Sequence, residues 1–574
     1  MKLYTTWGAW GNLTIDSGHE MYIPSVLAEG KKLYRDVWHI YGPAAPYFTS
    51  YLYRLFGVKL SVLYWAGSLS ALGSAIFLFL TGMRLSSWVA GWTAGAVLLI
   101  EAFEPSLFSF PLPYASGAVY ACFVGCAFLW FAVTACFSEH WIWVFGAGTA
   151  AALALLLKPE FGIACYGTLA LLIAGRWYLR RIGRLIASDV AAILPGMALC
   201  GVVIRWMVSI AGAEFITQEN IMSWPSSYFM KTYGKLWLAK NGFTVSESAF
   251  LNAAYRAIPV LGVVLACFLF LRWKQFDARS LIVRGSIVVA LVYYFIEHNF
   301  FALSLKEDIS MALGAIFFPR DMVLYIIVSA FAVWIYLCRK PSLGRNFAIS
   351  LLFTFCGLLA FRVLMNLDAI GYSIFYNGPV VLSYVLLLSQ IIPRSDRSRR
   401  FLIFSETVLV LACLTPVFIR AQAAEASARD FVPFSTDRGT IRVPRRMAEG
   451  YRPAIQFMKE KAALGQSVLS VPEDTSLYFL SETHCPIRVC IFIPGLIAPG
   501  KMTEETIAQI EKKPVDYLLW SHRDYGEYGV SDFGEGFNTE IGDYMKSHYH
   551  SVGPLVPNVL DSEAWQTVVW ERNQ

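Results

Sequence analysis

Long apolar stretches constrain the fold of this 574-residue chain more than any other feature. A helix that crosses a bilayer takes roughly 20 mostly apolar residues. Such stretches lie near residues 58–80, 88–104, 113–137, 141–157, 160–175, 187–210, 256–271, 281–300, 322–338, 346–366, 377–392 and 401–419. Hydrophobic residues make up 56% of the chain, more than a soluble fold needs for its core. Lipid-exposed backbone must form its own hydrogen bonds, so the stretches predict helices. We predict a mainly α membrane protein, a polytopic helical bundle of about 12 spans.

The loops between these stretches predict the orientation of the bundle, because Lys and Arg in short loops stay on the cytoplasmic side. One set of alternate loops is strongly basic, at Arg84, Arg176, Arg180, Arg181, Arg184, Arg272, Lys274, Arg279, Arg339, Lys340, Arg345, Arg394, Arg397, Arg399 and Arg400. The other set, which includes 211–255, 301–321 and 367–376, is slightly acidic. We therefore predict a multi-pass inner-membrane protein whose residues 1–57, and those beyond about 420, are periplasmic.

Three domains follow from this topology: a first extracytoplasmic loop at 1–57, a transmembrane domain at 58–420 and a soluble tail at 421–574. In the tail, helical patterns near 452–464, 503–513 and 537–547 alternate with strand-like runs at 467–471, 515–520 and 565–571. This alternation predicts a small extracytoplasmic α/β domain. Cys485 and Cys490 are the two cysteines that fall outside the spans, and the sequence leaves a disulfide between them open.

The first loop carries basic residues that include Lys31, Lys32, Arg35 and Arg54, although it is predicted to be periplasmic. The sequence contains neither a signal peptide nor a span ahead of this loop that would carry it across the membrane. We therefore expect that Met1 is an internal methionine of a longer reading frame and that one helix precedes it.

Ionisable residues are concentrated at the predicted outer ends of the spans. They are Glu101, Glu104, Lys158, Glu160, Arg205, Glu297, His298, Arg320, Asp321, Arg362 and Asp368, and the first loop adds Asp16, Glu20, Asp36 and His39. Side chains at an interface reach toward water, which accounts for part of this set. It accounts less well for the presence of both acidic and basic side chains at one face of the bundle. A site for an anionic lipid substrate requires such a combination.

The first loop has the most specific pattern in the chain. An acidic stretch, Ile15-Asp16-Ser17-Gly18-His19-Glu20-Met21-Tyr22, is followed by Tyr34-Arg35-Asp36, by Tyr41-Gly42-Pro43 and by Pro46-Tyr47. Residues 19–29 read as a helix that Gly30 ends, and Pro43 with Pro46 predicts an extended entry into the next span. This order resembles the first periplasmic loop of C-type glycosyltransferases. The nearest group is the protein-mannosyltransferase-like family 39, with its aminoarabinose-transferase and rhizobial core-sugar-transferase relatives.

Two further segments add to the resemblance. Ala151–Gly162 is similar to the Ala-rich helix of that superfamily that ends in Leu-x-Lys-Pro, and Arg362 with Tyr376 and Pro379 is similar to a later outer-face segment. The chain departs from the pattern in lacking the helix ahead of the first loop. It also departs in separating Asp16 from Glu20, where the relatives have adjacent acidic residues. The resemblance implies a C-type glycosyltransferase fold without its first helix.

The resemblance also implies the activity, transfer of a sugar from a polyprenyl-phosphate donor to an extracytoplasmic acceptor. Such a donor contains its own leaving group, so the enzyme must deprotonate the acceptor and stabilise the departing phosphate. No second displacement is implied, and we expect inversion at the anomeric carbon. Resemblance and position assign Asp16 as the general base, with Glu20 as the competing candidate. The structural alternative for Asp16 is a helix N-cap.

The remaining candidate residues are assigned by charge and position. Lys158, Arg362 and, less strongly, Arg320 suit the donor phosphate, because ammonium and guanidinium groups both bind phosphate oxygens. The alternative for these cations is pairing with lipid headgroups or neighbouring carboxylates. Glu104 could orient the acceptor or hold a divalent metal, although the chemistry requires no cofactor. The other first-loop candidates are Asp36, His39 and Tyr41.

Other functions are less consistent with the sequence. It contains no nucleotide-phosphate motif, zinc spacing or Ser-His-Asp arrangement, and the basic loops account for the net charge of +6 without a nucleic-acid partner. A flippase or transporter of lipid-linked sugars would place its charges near the bilayer midplane and often contains a repeat. An oligosaccharide ligase or polymerase is a further alternative. The sequence leaves open the sugar and whether the acceptor is a glycan, a lipid or a protein.

Overall fold

A computed structural model of the chain describes residues 7–14, 16–39, 41–180, 183–216, 227–234, 236, 344–363, 374–391, 410, 414, 417–418, 421–523, 525–555 and 567–573. The predicted spans at 256–271, 281–300 and 322–338, and most of 401–419, lie outside this part.

Helices dominate the N-terminal two thirds of the described chain. Two of them, α1 (Asp16–Ala28) and α2 (Ala44–Phe56), precede the first predicted span. The rest are α3 (Leu60–Leu85), α4 (Trp88–Ala102), α5 (Ser116–Phe137), α6 (Trp141–Leu157), α7 (Pro159–Arg180), α8 (Gly183–Ala211), the short α9 (Tyr228–Thr232), α10 (Arg345–Val363) and α11 (Ile374–Ile391). Eight of the predicted spans therefore coincide with helices, α3 to α8, α10 and α11.

Within the described residues, three helical segments are long and apolar enough to cross a bilayer, namely Leu60–Leu85, Ser116–Phe137 and Ala187–Ala211. Shorter apolar helical segments are Trp88–Ala102, Trp141–Leu157 and Arg345–Leu359. Large apolar side chains at Trp65, Leu69, Leu72 and Ile76 are about half exposed and recur at helical spacing along α3. Such a stripe is where lipid would contact the helix. The count of about 12 spans stays a prediction.

The tail folds as the predicted α/β unit. Its elements are β1 (Phe431–Thr436), β2 (Gly439–Pro444), α12 (Arg445–Ala463), β3 (Val468–Val471), α13 (Ser476–Ser481), α14 (Lys501–Lys512), β4 (Tyr517–Ser521), α15 (Thr539–His548), β5 (Tyr549–Pro554) and β6 (Thr567–Arg572). β1 and β2 form an antiparallel hairpin, and the other strands form a sheet in the order β3-β4-β6-β5. β3 and β4 are parallel, whereas β6 is antiparallel to both of its neighbours.

Two large hydrophobic cores contain most of the buried apolar side chains among the described residues. One joins α3 to α7 with α10 and α11. The other joins the tail with the first loop, including Met21, Ile23 and Leu27 of α1. The first loop thus packs with the tail domain as well as with the membrane helices.

Two expectations need correction. Pro43 and Pro46 do not produce an extended entry, because α2 begins directly after Pro43 and contains Pro46 in its first turn. N–H groups of a first turn have no acceptor within the helix, so proline there costs no hydrogen bond.

Arg176, predicted in a cytoplasmic loop, lies in α7 and is buried. Cys485 and Cys490, for which a disulfide was left open, are both free thiols.

Candidate active site

Helix α1 is enclosed on all sides. Eleven of its 13 residues, Ser17 to Leu27, are buried. Ser17 Oγ donates to the carbonyl of Pro113, which precedes α5. On the other side a Cβ added to Gly18 would lie 2.5 Å from the backbone nitrogen of Ser476 in α13. The helix is therefore clamped between the membrane helices and the tail domain, and Gly18 permits the close approach.

Lys158 occupies a sharp corner between two helices. α6 ends at Leu157, and Lys158 is extended, with φ −152° and ψ 113°. Pro159 begins α7 immediately afterwards. Proline disfavours a helical conformation in the residue before it and is well tolerated at the first position of a helix. The sequence Leu157-Lys158-Pro159 thus reverses the chain within one residue. Lys158, at that corner, is 5% exposed.

A small cavity lies where this corner meets the first loop. It has a volume of about 10 Å³, room for about one water molecule, and is lined by Glu20, His39, Tyr41, Gly42, Ala45, Pro46, Ala115, Gly117, Leu157 and Lys158. The Nζ atom of Lys158 is 3.7 Å from the ring centroid of Tyr41, a cation–π contact. At Gly42 an added Cβ would lie 2.3 Å from the carbonyl oxygen of Leu156, so a side chain there would push the first loop away from the corner.

Glu20 is the carboxylate of this cavity. Its Oε2 atom accepts hydrogen bonds from the backbone nitrogen of Ser116, at 3.1 Å, and from Ser116 Oγ. Ser116 begins α5, so the carboxylate sits at a helix N-terminus, where negative charge is favourable. Burial raises the pKa of Glu20, and the bonds from Ser116 and the charge of Lys158 only partly oppose this shift. A carboxylate with a raised pKa is a stronger base than an exposed one.

Two histidines stand beside Glu20. The rings of His19 and His39 are stacked, with centroids 5.1 Å apart and planes 11° from parallel. Burial lowers the pKa of His19 to about 4. Burial also lowers the pKa of His39 well below its usual range, and His19 and Lys158 lower it further. Both histidines are therefore neutral at pH 7, and Lys158 is the cation among the residues that line the cavity.

The other predicted site residues lie outside the cavity lining or outside the described residues. Asp16 begins α1, one turn before Glu20, and does not line the cavity. Asp36 pairs with Arg35 at 2.7 Å near the surface. Glu104 is 5% exposed just after α4 and is also outside the cavity lining. Arg320 and the side chain of Arg362 lie outside the described residues.

Carboxylates near Lys158 have partners of their own. Glu160 accepts from the hydroxyl of Tyr376 at 3.4 Å, and Glu101 accepts from Asn377 Nδ2 at 3.0 Å. α4 ends near Glu101, and α7 and α11 begin near Glu160 and Asn377. The concentration of charge at one end of the helices, predicted from the sequence, is thus present in the described part of the bundle.

A metal site does not emerge around these groups. No cluster of three His, Cys, Asp or Glu side chains that could hold a metal occurs among the described residues. For Glu104, metal binding was one of two predicted roles, and it stays a prediction.

Sequence reasoning missed Ser116 and Gly42. Ser116 starts an apolar run, which is a recognisable signal for a helix start, but its partner Glu20 is 96 residues away. Gly42 lies in the first-loop pattern, yet only the corner at Leu156 explains why a glycine is needed.

No protein-family profile and no curated protein sequence matches the chain. Similar solved structures include the archaeal oligosaccharyltransferase AglB from Archaeoglobus fulgidus, in complex with an inhibitory peptide and a dolichol-phosphate. It is 11% identical, with a TM-score of 0.47 over 97% of this chain and 72% of that one. ArnT from Cupriavidus metallidurans, bound to undecaprenyl phosphate, is 12% identical, with a TM-score of 0.38 over 99% and 95%.

The arabinosyltransferase EmbB from Mycobacterium smegmatis is 13% identical, with a TM-score of 0.31 over 76% of this chain and 41% of that one. The names of these proteins agree with the glycosyltransferase superfamily that the first loop resembles. Because each of these TM-scores is below 0.5, the similarities carry no argument about the activity of this chain.

Proposed function

We propose that the chain is a membrane glycosyltransferase that transfers a sugar from a polyprenyl-phosphate donor to an extracytoplasmic acceptor, with inversion. The observation that carries this proposal is the cavity in which a buried carboxylate, Glu20, and a buried ammonium group, Lys158, share one lining. Inverting transfer from a phosphate-linked donor needs one base and one cation. The cavity contains one of each.

Glu20 is positioned to act as the base. Both of its hydrogen bonds from described residues end on Oε2, which leaves Oε1 available to an acceptor hydroxyl. Glu20 takes the proton of that hydroxyl as the acceptor oxygen attacks the anomeric carbon. The bond from the anomeric carbon to the phosphate oxygen breaks, and its electron pair stays on the departing polyprenyl phosphate.

Lys158 stabilises the charge that develops on that phosphate. The face of the Tyr41 ring holds the ammonium group without neutralising it, since the ring offers a quadrupole rather than a counter-charge. Burial strengthens the attraction between this ammonium group and a phosphate, because water screens less in a closed site. Arg362 and Arg320 stay predicted contributors to the same phosphate, and Glu104 a predicted acceptor-orienting residue.

The geometry favours Glu20 over Asp16, the base predicted from the first-loop pattern. Asp16 begins the same helix and lies outside the cavity lining. It stays the competing assignment, and the experiment separates the two.

The experiment follows the transfer of labelled sugar from polyprenyl-phosphate hexoses and pentoses to membrane acceptors, with wild type, Glu20→Gln and Asp16→Asn in membranes. We expect Glu20→Gln to lower transfer by about 10²- to 10⁴-fold, the usual contribution of a general base. Glu29→Gln is the matched control, because Glu29 follows α1 and is exposed.

Full transfer by Glu20→Gln would reject this base, and a loss confined to Asp16→Asn would restore the assignment from the sequence. If wild type moves lipid-linked sugars across the bilayer and consumes none of them, the chain is a transporter.

A further inference from the structure

The β1–β2 hairpin lies along the end of the helix bundle. At its turn, the backbone nitrogen of Leu60, which begins α3, donates to the carbonyl of Arg438 at 2.8 Å. The hydroxyl of Tyr64 donates to the carbonyl of Thr440. The open end of the hairpin follows the helical residues 421–427, and Val417 just before them is buried in the core of the membrane helices. Both ends of the hairpin are thus tied to the bundle, so it runs along the membrane surface rather than away from it.

A second and larger cavity opens at the open end of this hairpin. This arginine groove, with a volume of about 570 Å³, includes Ser427, Arg429, Asp430, Phe431, Arg445 and Arg446 in its lining. Its volume is within the range for small-molecule sites, about 300 to 1,000 Å³. Three arginines and one aspartate are among its lining residues.

The three arginines are not neutralised within the described chain. All three are exposed, and none forms an ion pair with Asp430 or with any other described residue. Arg445 and Arg446 form the start of α12, whose first turn contains no acidic residue. Cations are unfavourable at a helix N-terminus, so folding alone gives no reason for two of them there. A bound anion would remove this cost.

Nearby aromatic residues indicate the depth of the groove relative to the membrane. The backbone nitrogen of Arg442 in β2 donates to the carbonyl of Gly8. Next to Gly8, the ring of Trp7 packs 5.7 Å from that of Trp65, and both indoles are more than a third exposed. Exposed tryptophans are typical of the membrane–water interface. The hairpin with the arginine groove is therefore at headgroup level.

We propose that the arginine groove binds the phosphate of an anionic lipid headgroup. Guanidinium groups bind phosphate through paired hydrogen bonds, and the position at the interface favours a lipid over a soluble phosphate. This site is separate from the Glu20 cavity, shares no residue with it and does not depend on the transfer reaction.

The test compares the full chain with the variant Arg429→Gln/Arg445→Gln/Arg446→Gln in mixed micelles that contain equal amounts of phosphatidylglycerol and phosphatidylcholine. Lipid retained per protein is counted by mass spectrometry. We expect wild type to be enriched in phosphatidylglycerol and the triple variant to retain at least about tenfold less of it, since each cation at a membrane surface contributes to anionic lipid binding.

The matched control is Lys501→Gln/Lys512→Gln/Lys513→Gln, which removes the same charge from exposed positions outside the groove. It should retain phosphatidylglycerol as wild type does, and so should Glu20→Gln. The proposal fails if the groove variant retains as much phosphatidylglycerol as wild type, or if the lysine control loses as much as the groove variant. It also fails if millimolar inorganic phosphate displaces the lipid, because the groove would then bind free phosphate. Because Glu20→Gln is measured in both assays, failure here leaves the transferase proposal untouched.

Discussion

Helix α7 has a buried cation near each end, and the two differ in their surroundings. Lys158 stands directly before the helix, and Arg176 lies 18 residues further along. At 1.5 Å per helical residue this spacing is about 27 Å, close to the hydrocarbon thickness of a bilayer. The two cations therefore lie at opposite ends of α7.

Arg176 is fully paired. Its Nε and Nη2 atoms donate to the two carboxylate oxygens of Asp189 at 2.6 and 3.1 Å, and Nη1 donates to the carbonyls of Ser138 and Ala135. Lys158 borders a cavity and lies over the ring of Tyr41. A closed ion pair holds helices together, whereas a charge that faces a cavity can act on a ligand. Buried charge at one end of α7 is thus structural, and at the other end we propose that it is functional.

Asp189→Asn should break the structural ion pair with Arg176 and produce the largest effect on stability. The substitution keeps the size of the side chain but leaves Arg176 as an uncompensated buried charge, which typically costs about 3–5 kcal/mol. The measurement is thermal unfolding in detergent together with transfer per folded protein, which should not change. Asp437→Asn is the control, because its pair with Lys459 is exposed and surface pairs contribute about 0–1 kcal/mol. Equal destabilisation by the two variants would contradict the assignment.

Lys158→Met removes the buried ammonium group that we propose to be functional. We expect transfer to fall by about 10²-fold, as for loss of one charge-stabilising donor in other enzymes. Thermal stability should change little, because Met fills the space of the aliphatic stem. Lys158→Arg should recover part of the activity, since it restores the charge. If Lys158→Met lowers stability as much as Asp189→Asn and leaves transfer intact, the two ends of α7 do not differ as proposed.

Gly18→Ala should affect both stability and transfer. The new Cβ would lie 2.5 Å from Ser476 nitrogen, so α1 must shift against the tail domain. Overpacking of this kind costs about 1–3 kcal/mol, and the shift should move Glu20 in the same helix. Gly450→Ala in α12 is the control, since an added Cβ there meets no atom within 4 Å. Thermal unfolding and transfer rates are measured for both, and a fully active, stable Gly18→Ala protein would show that the clamp on α1 is unimportant.

The pH profile of transfer gives the smallest expected effect. A general base must be deprotonated, so transfer should fall as the pH drops through the raised pKa of Glu20, above the ordinary carboxyl value of 4.5. Lys158 lowers the pKa of Glu20 by its charge. In Lys158→Met the acid limb of the residual activity should therefore lie at a higher pH than in wild type. His39→Asn should leave the acid limb in place, because the pKa of His39 lies well below its usual range. If the acid limb of Lys158→Met does not shift, the charge of Lys158 does not act on the pKa of Glu20.

Local sequence patterns determined a large part of this fold. Apolar length predicted the helices α3 to α8, α10 and α11, and helical periodicity predicted the helices α12, α14 and α15 of the tail. The pair Lys158-Pro159 by itself favours an extended lysine at the start of a helix. Strands β1, β2 and β5 went unpredicted; Pro433 lies within β1, and the Gly553-Pro554 pair ends β5. Proline at Pro43 and Pro46 was misread because its effect depends on where the helix begins.

Only the tertiary structure decided which charged residues share a site. Glu20 meets Ser116 across 96 residues of sequence, and Tyr64 meets Thr440 across 376. Periodicity reports the face that a residue occupies on its own element, whereas these contacts depend on how elements pack. The sequence therefore named Asp16, Glu20 and Lys158 as candidates, and packing alone placed Glu20 and Lys158 in one cavity and left Asp16 outside it.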